Sequence, residues 1–480
     1  MKITGPLLTF LAAAILTNSA VFAQNRIGTG SVDQLYQQHC ASCHGPNLEG
    51  GSGSSFLDDE WKHGATDADL ARSISNGFPE LGMVPWKGIL TDEQIRSLVI
   101  YIREKRQLVD RDALLKKLEP REGVFSSEKH SFRLEKVAEL DGILWSINFL
   151  PDHTPIVTQR DGKLWLIKNG KLDGPIKGTP NVWLRGQGGL LEVAPHPEYE
   201  ANGWIYLTYS ESVGGKDDGK EAGMTAVVRG RIKNGTWVDQ EEIYHAPKNL
   251  HSSAGVHFGS RIVFKDGYLF FGIGDRGRQP HVQDLSRPNG KIHRLHDDGR
   301  IPGDNPFAKV PGALPTIWSF GHRNPQGLDM NPETGEIWES EHGPRGGDEI
   351  NRIHAGRNYG WPVITYGMNY NGSPMTDRVS WPGMEQPKNY YVPSIAICGI
   401  DFYEGNAFPK WKNNLFVCGM ASQELHRLVI ENGKVVDQEI VMKNQGRIRD
   451  VASGPDGSIY LSLVTGNKKK AGLYKMVSVE

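Results

Sequence analysis

Six times between residues 151 and 461, a short turn rich in Pro, Asn, Asp or Gly is followed closely by a run of β-branched and aromatic residues. The instances are Pro151-Asp152 before Ile156-Val157-Thr158, Pro197-Glu198 before Trp204-Ile205-Tyr206-Leu207, and Lys265-Asp266-Gly267 before Tyr268-Leu269-Phe270-Phe271. Asn331-Pro332 before Glu336-Ile337-Trp338, Asn413-Asn414 before Leu415-Phe416-Val417, and Pro455-Asp456-Gly457 before Ser458-Ile459-Tyr460-Leu461 complete the set. Each pairing of turn residues with such a run reads as the start of a strand. The units recur at roughly 45 to 80 residues, room for about four strands with insertions in some loops, which is the size of a propeller blade. A six-bladed β-propeller accounts for the roughly 350 residues after Lys136. The alternative, a β-sandwich or a tandem pair of them, gives no reason for the unit to persist to the C-terminus.

Ahead of this all-β region lies Cys40-Ala41-Ser42-Cys43-His44. C-x-x-C-H is the attachment signature of haem c: the two thiols add to the vinyl groups of one haem, and the adjacent imidazole ligates its iron. C-x-x-C also serves as a redox dithiol or as half of a zinc site, but no second C-x-x-C supplies the other two ligands. Met83, in Gly82-Met83-Val84-Pro85-Trp86, is the candidate second axial ligand; otherwise it is flexible core filler. The segment resembles the small class I cytochromes c, in which a C-x-x-C-H helix leads through a Met-bearing loop to a last helix. Residues Leu90 to Ile102 fit that helix, with Thr91 as N-cap, Gln94 completing a capping box, and Ile95, Leu98, Val99 and Ile102 on one buried face. The expected organisation is a signal peptide over residues 1–23, a small all-α cytochrome c domain over 24–106, a charged linker over 107–135 with helical turns near Asp112 to Leu118, and the propeller over 136–480.

Lys2, the apolar run from Pro6 to Leu16 and the small residues around Val21-Phe22-Ala23 read as a cleaved secretory signal. No later stretch approaches the about twenty consecutive apolar residues of a spanning helix, so no integral membrane segment is expected. Export agrees with haem c and places the chain in the periplasm. With 54 basic and 56 acidic residues, the chain has no electrostatic reason to prefer nucleic acid. Only four cysteines occur, so this is no disulfide scaffold; Cys398 and Cys418 remain after haem attachment, and sequence leaves their pairing open.

Walker A, G-x-S-x-G and H-E-x-x-H motifs are all missing, so phosphate, acyl and zinc-peptide chemistry lack support. A haem takes one electron at a time and performs no substrate chemistry by itself. The fused propeller is then most economically its electron donor. Polar clusters fall where a propeller's channel would open: Gly186 to Gly189, Val256 to Arg261 with Ile273-Gly274-Asp275, Gly321 to Gly327, Glu341 to Asn351, and Arg447 to Asp450.

In this order, over residues from about Gly142 to Lys475, the clusters resemble the soluble pyrroloquinoline quinone (PQQ)-dependent aldose sugar dehydrogenases. That resemblance implies oxidation of an aldose at C1 to the lactone. It places the catalytic base at His257, oriented by Asp275, and Gln187 at the sugar pocket. Arg323 and Asn324 would polarise the quinone carbonyls, and Arg447 and Arg449 would pair with the cofactor's carboxylates. Main-chain carbonyls of Gly343 and Pro344 would hold a calcium ion at the cofactor, while Glu349 and Tyr359 resemble positions serving a second, structural calcium. The chain departs from the pattern at Val417 to Ser422, where the family has a lysine at the cofactor's carboxylate and this sequence has Ala421 or a neighbour.

The expected function is that of a periplasmic quinohaemoprotein, with PQQ, Ca2+ and covalent haem c, passing electrons to a soluble cytochrome or terminal oxidase. Two rivals remain. One is a propeller with a degenerate quinone site acting as a haem relay or binding protein. The other is a cytochrome cd1-like reductase, which needs eight blades and a second haem.

Overall fold

The computed structural model describes residues 31–58, 60–109, 118–214, 221–465 and 470–479. The signal read over residues 1–23, and all but the last residue of the helical turns read near Asp112 to Leu118, fall outside them. Six antiparallel sheets form the larger part, from residues 144–173, 190–244, 262–320, 325–391, 397–443, and 447–479 joined by 125–141. Their first strands contact one another in a ring in which Arg447–Ser453 meets Leu144–Phe149, so the fold is a six-bladed β-propeller. An eight-bladed reductase scaffold is ruled out.

Each of the six turn-and-strand units joins the first strand of a blade to the second, as in Tyr268–Ile273, Ile337–Glu341 and Leu415–Gly419. Second strands are covered by a blade on either side and are buried almost throughout, which is why they stand out as apolar runs. The ring is closed by pairing of Ser131–Asp141 with the C-terminal strand Lys470–Val479. Ser131–Asp141 thus begins inside the stretch read as linker. It is the fourth strand of its blade, edged only at one end by the two-residue strand Phe125–Ser126, and its exposed Arg133, Glu135, Lys136 and Glu139 gave it a linker's charge while Phe132, Ala138 and Leu140 are buried.

Buried charge ties the inner strands together. Arg261 bridges Glu192 and Asp450, both at 2.7 Å, from three different blades. A fourth blade joins in: the Ser146 hydroxyl donates to Glu192 (2.9 Å) and the Ile147 N–H to Asp450 (2.8 Å). Burial pushes the Glu192 carboxyl up to about 7 even against Arg261. Replacing Arg261 by Ala strands two buried carboxylates, and the expected loss is about 3–5 kcal/mol, read from chemical denaturation; a loss under about 1 kcal/mol would mean water already screens the group.

The N-terminal part is helical: α1 (Val32–His39), α2 (Ala41–His44), α3 (Asp67–Asn76) and α4 (Asp92–Val109). The Thr91 capping box forms, with Thr91 N–H donating to Gln94 Oε1 at 2.9 Å and Gln94 N–H to Thr91 Oγ1 at 3.2 Å. Ile95, Leu98, Val99 and Ile102 are buried as the spacing predicts, but so are Ile100 and Tyr101. Helix α4 runs to Val109, past residue 106. No helix among the described residues is long and apolar enough to cross a membrane.

Candidate active site

Strands alternate in direction, so the six first-to-second turns share one face of the ring. The second-to-third turns and the links between blades share the other. Arg160 and Met420 lie in second-to-third turns, and Gln187, His257 and Asn324 in links between blades. They share this second face with Arg447 and Arg449, at the start of the last blade's first strand, and all but His257 line one cavity. This cavity of about 310 Å³ opens there, lined by Gln187, Asn324, His342 and Met420, with Arg160, Arg447 and Arg449 on one side and Trp145 among its apolar walls.

His257 has left-handed backbone (φ 53°), and its N–H donates to Gln187 Oε1 at 2.7 Å. Its Nδ1 lies 2.6 Å from Asp275 Oδ1, and Asp275 Oδ2 accepts from the Trp361 indole at 2.9 Å. Nε2 makes no hydrogen bond to any described residue, and the side chain is 14% exposed. Burial pushes the imidazole below its ordinary range; Asp275 opposes that and Arg323 adds to it. Burial raises the Asp275 carboxyl, but His257 and Arg323 outweigh it and hold the group low. The result is an ionised carboxylate fixing a neutral imidazole with one nitrogen free, an arrangement fit to take a proton.

Asn324 faces the cavity, its Oδ1 accepting from Gly259 N–H and from the Gln326 amide, both at 3.2 Å. Arg323 lies one layer behind. Its Nη1 donates to the His342 carbonyl at 2.9 Å, its main-chain N–H donates to Glu341, and it lines a second chamber of about 10 Å³ with Glu341, Gly343, Glu349 and Tyr359. Gly343 N–H is held by Asp348 (2.8 Å), and its carbonyl lies 3.4 Å from the Tyr370 hydroxyl; Pro344, next in chain, is buried. The Tyr359 hydroxyl donates to the Arg352 carbonyl at 2.6 Å and accepts from His354 N–H, leaving only its main-chain carbonyl free for a metal.

Sequence reasoning missed two groups. The first is Arg160, in an ordinary-looking turn: among the described residues neither it nor Arg447 nor Arg449 makes an ion pair, and Arg449 Nε is buried without a partner. Burial and then mutual repulsion with Arg449 lower both Arg160 and Arg447. The second is a buried set beside Glu349, in which ligand atoms of His322, Glu339 and Glu341 lie within 4.8 Å of one another. One amide, Asn351, donates to all three glutamates, Glu339, Glu341 and Glu349, at 3.2 to 3.3 Å, and burial with Glu341's charge drives Glu339 and Glu349 well above the carboxylate range. Ala421 and Ser422 line a different cleft, and Lys443 nearby is held by Glu424, so no lysine reaches the cavity from that strand.

In the helical part, Cys40 and Cys43 are free thiols flanking the start of α2. His44 Nδ1 lies 2.9 Å from the Ser54 carbonyl, and the ring stacks on Phe56 at 4.5 Å. Tying down Nδ1 leaves Nε2 for a metal, which fits a proximal haem ligand. Met83 is half-buried and paired by its main chain to Phe78 in the loop before α4. Cys398 and Cys418 are buried, free thiols on neighbouring strands.

The sequence profile of the family described as Glucose / Sorbosone dehydrogenase matches residues 142–474, and that of Cytochrome C oxidase, cbb3-type, subunit III matches residues 30–102. The aldose sugar dehydrogenase YliI of Escherichia coli is 43% identical over 325 residues, which cover 66% of this chain and 86% of the relative. Quinoprotein glucose dehydrogenase B of Acinetobacter calcoaceticus is 29% identical over 363 residues, 59% of this chain and 75% of the relative. Among solved structures, the apo-form of the soluble aldose sugar dehydrogenase of Escherichia coli superposes with a TM-score of 0.66 at 39% identity, covering 72% of this chain and all of that one.

Proposed function

Because this chain belongs to the glucose/sorbosone dehydrogenase family and carries an N-terminal cytochrome c domain, we propose that it oxidises an aldose at C1 to the lactone with PQQ, the electrons leaving through its own haem c. The observation that carries this reading is the trio of arginines on one wall of the cavity, none of which makes an ion pair among the described residues. PQQ bears three carboxylates, and guanidinium is suited to each of them. Arg160 supplies the cation that the strand at Ala421 lacks, which removes the main reason to prefer a degenerate site.

PQQ supplies the hydride acceptor when bound. His257 takes the proton of the anomeric hydroxyl at Nε2, with Asp275 holding its other nitrogen protonated. Asn324 would face the cofactor's carbonyls, and Arg323 adds positive potential from behind it. Carbonyls of Gly343 and Pro344 suit a hard cation at the cofactor. Glu349, the Tyr359 carbonyl and Glu341 suit a second calcium, since buried carboxylates this close need a cation or shared protons. Haem c, carried by Cys40, Cys43 and His44 with Met83 as second ligand, implies export to the periplasm and a soluble cytochrome or terminal oxidase as acceptor.

The test is stopped-flow spectroscopy of the haem-loaded protein given PQQ, calcium and a panel of aldoses. Reduced-haem absorbance should develop with at least one sugar and should require PQQ. Haem that stays oxidised across the panel would count decisively against the relay.

A further inference from the structure

Helix α4 is buried along two stripes. Ile95, Leu98, Val99 and Ile102 enter the helical domain's own core, while Arg96, Ile100 and Glu104, spaced by four, face the fourth blade. Arg96 (8% exposed) reaches the Tyr366 carbonyl at 3.4 Å, and Ile100 (1% exposed) packs over Gly346. Glu104 (9% exposed) accepts from Arg345 three times, from Nε at 3.2 and 3.1 Å and from Nη2 at 2.8 Å. Arg345 also reaches Asp33 on α1 at 3.4 Å. Around this clasp Val32 N–H donates to the Gly372 carbonyl at 2.9 Å, and Met368 of the propeller belongs to the helical domain's apolar core.

Position gives the clasp its meaning. Arg345 sits in a second-to-third turn, on the face where the cavity opens, and follows His342, which lines that cavity, by three residues. Its main chain exchanges two hydrogen bonds of 2.9 Å with Met368, so the long insertion 353–388 is drawn to the same face. A domain that only swings on a tether would have no use for a carboxylate buried this far, because taking it from water is costly and becomes more so when the guanidinium leaves it.

We propose that this contact is the electron-transfer interface, that the haem domain works docked rather than swinging, and that Arg345 is the positioning residue that fixes it at the cavity's rim through Glu104 and Asp33. The proposal rests on the relay reading above. Each aldose oxidised to lactone releases two electrons and two protons. A haem held by Cys40, Cys43 and His44 would supply a one-electron Fe(III)/Fe(II) carrier for the electrons, a one-electron acceptor would reoxidise it after each one, and the protons would go to water.

The test compares the full-length holoprotein with Glu104→Arg and with the charge swap Glu104→Arg/Arg345→Glu. Small-angle scattering reports seating, stopped-flow absorbance reports haem reduction by aldose, and a small dye that takes electrons directly from the propeller reports sugar oxidation. Expected for Glu104→Arg are a larger radius of gyration and haem reduction slowed by about tenfold or more, with dye reduction unchanged and the haem spectrum intact. The charge swap should restore seating and haem reduction. An unseated variant that still reduces its haem at the unaltered rate, or an unchanged radius of gyration in Glu104→Arg, overturns the proposal. Wild-type haem that stays oxidised while scattering shows the seat intact removes the relay reading, and the proposal with it.

Discussion

On the proposed reading, replacing His257 by Asn should slow aldose oxidation by the chain loaded with PQQ and calcium about 10²–10⁴-fold and leave cofactor binding unchanged. Asn suits the test because His257 sits at φ 53°, a left-handed conformation that Asn tolerates and Ala does not. Its amide can still meet Asp275, but it cannot take a proton. The pH dependence adds a second reading. A base acts when unprotonated, and burial holds His257 below its ordinary 6.5. The acid limb of kcat/KM should therefore have its midpoint under 6.5, and it should vanish in the Asn variant. The same depression links to stability: the group's contribution is present above 6.5 and lost as pH falls through the lower folded value. A variant within about threefold of the parent would fall short of any general-base contribution and return His257 to a structural role.

What the sequence revealed follows from which physical constraints act locally. The sixfold unit was legible because second strands are buried on both sides and start at a tight turn, so Tyr268 to Phe271 and Leu415 to Val417 carry their fold in a few residues. C-x-x-C-H and the Thr91 capping box are equally local. Arg160 was invisible: its turn, Gln159 to Gly162, resembles any other, and it gains meaning only when ring closure sets the first blade beside the last. Ile100 and Glu104 are alike in this respect. Their stripe falls four apart as any surface stripe might, and only Gly346 and Arg345, more than two hundred residues away, make it an interface. Ser131–Asp141 misled because an outer strand shows water one charged face. The set of Glu339, Glu341 and His322 fell between these cases: His322 and Glu341 belong to two recognisable clusters and Glu339 to neither, and their convergence beside Glu349 depends on strand pairing.

Removing Arg160 together with Arg449 should weaken PQQ binding by at least about 10²-fold while leaving the unliganded protein no less stable. A charge-assisted hydrogen bond contributes roughly 1.5–3 kcal/mol, which is about 10- to 150-fold in affinity for each arginine. In the free protein these groups cost rather than contribute: three cations face one cavity, burial and then repulsion from Arg449 lower both Arg160 and Arg447, and Arg449 Nε is buried without a partner among the described residues. Deleting one relieves the others, so the double loss should be smaller than the sum of the single losses. Arg160→Ala and Arg449→Ala should each raise the apo melting temperature or leave it unchanged. A structural ion network behaves in the opposite way, losing stability when a member is removed, as expected for Arg261 with Glu192 and Asp450. Equilibrium titration with PQQ and apo-protein melting, run on the same four proteins, separate the two cases. Unchanged PQQ affinity in Arg160→Ala would mean that this cation does not replace the absent lysine, and a fall in apo stability would mean that it serves the fold.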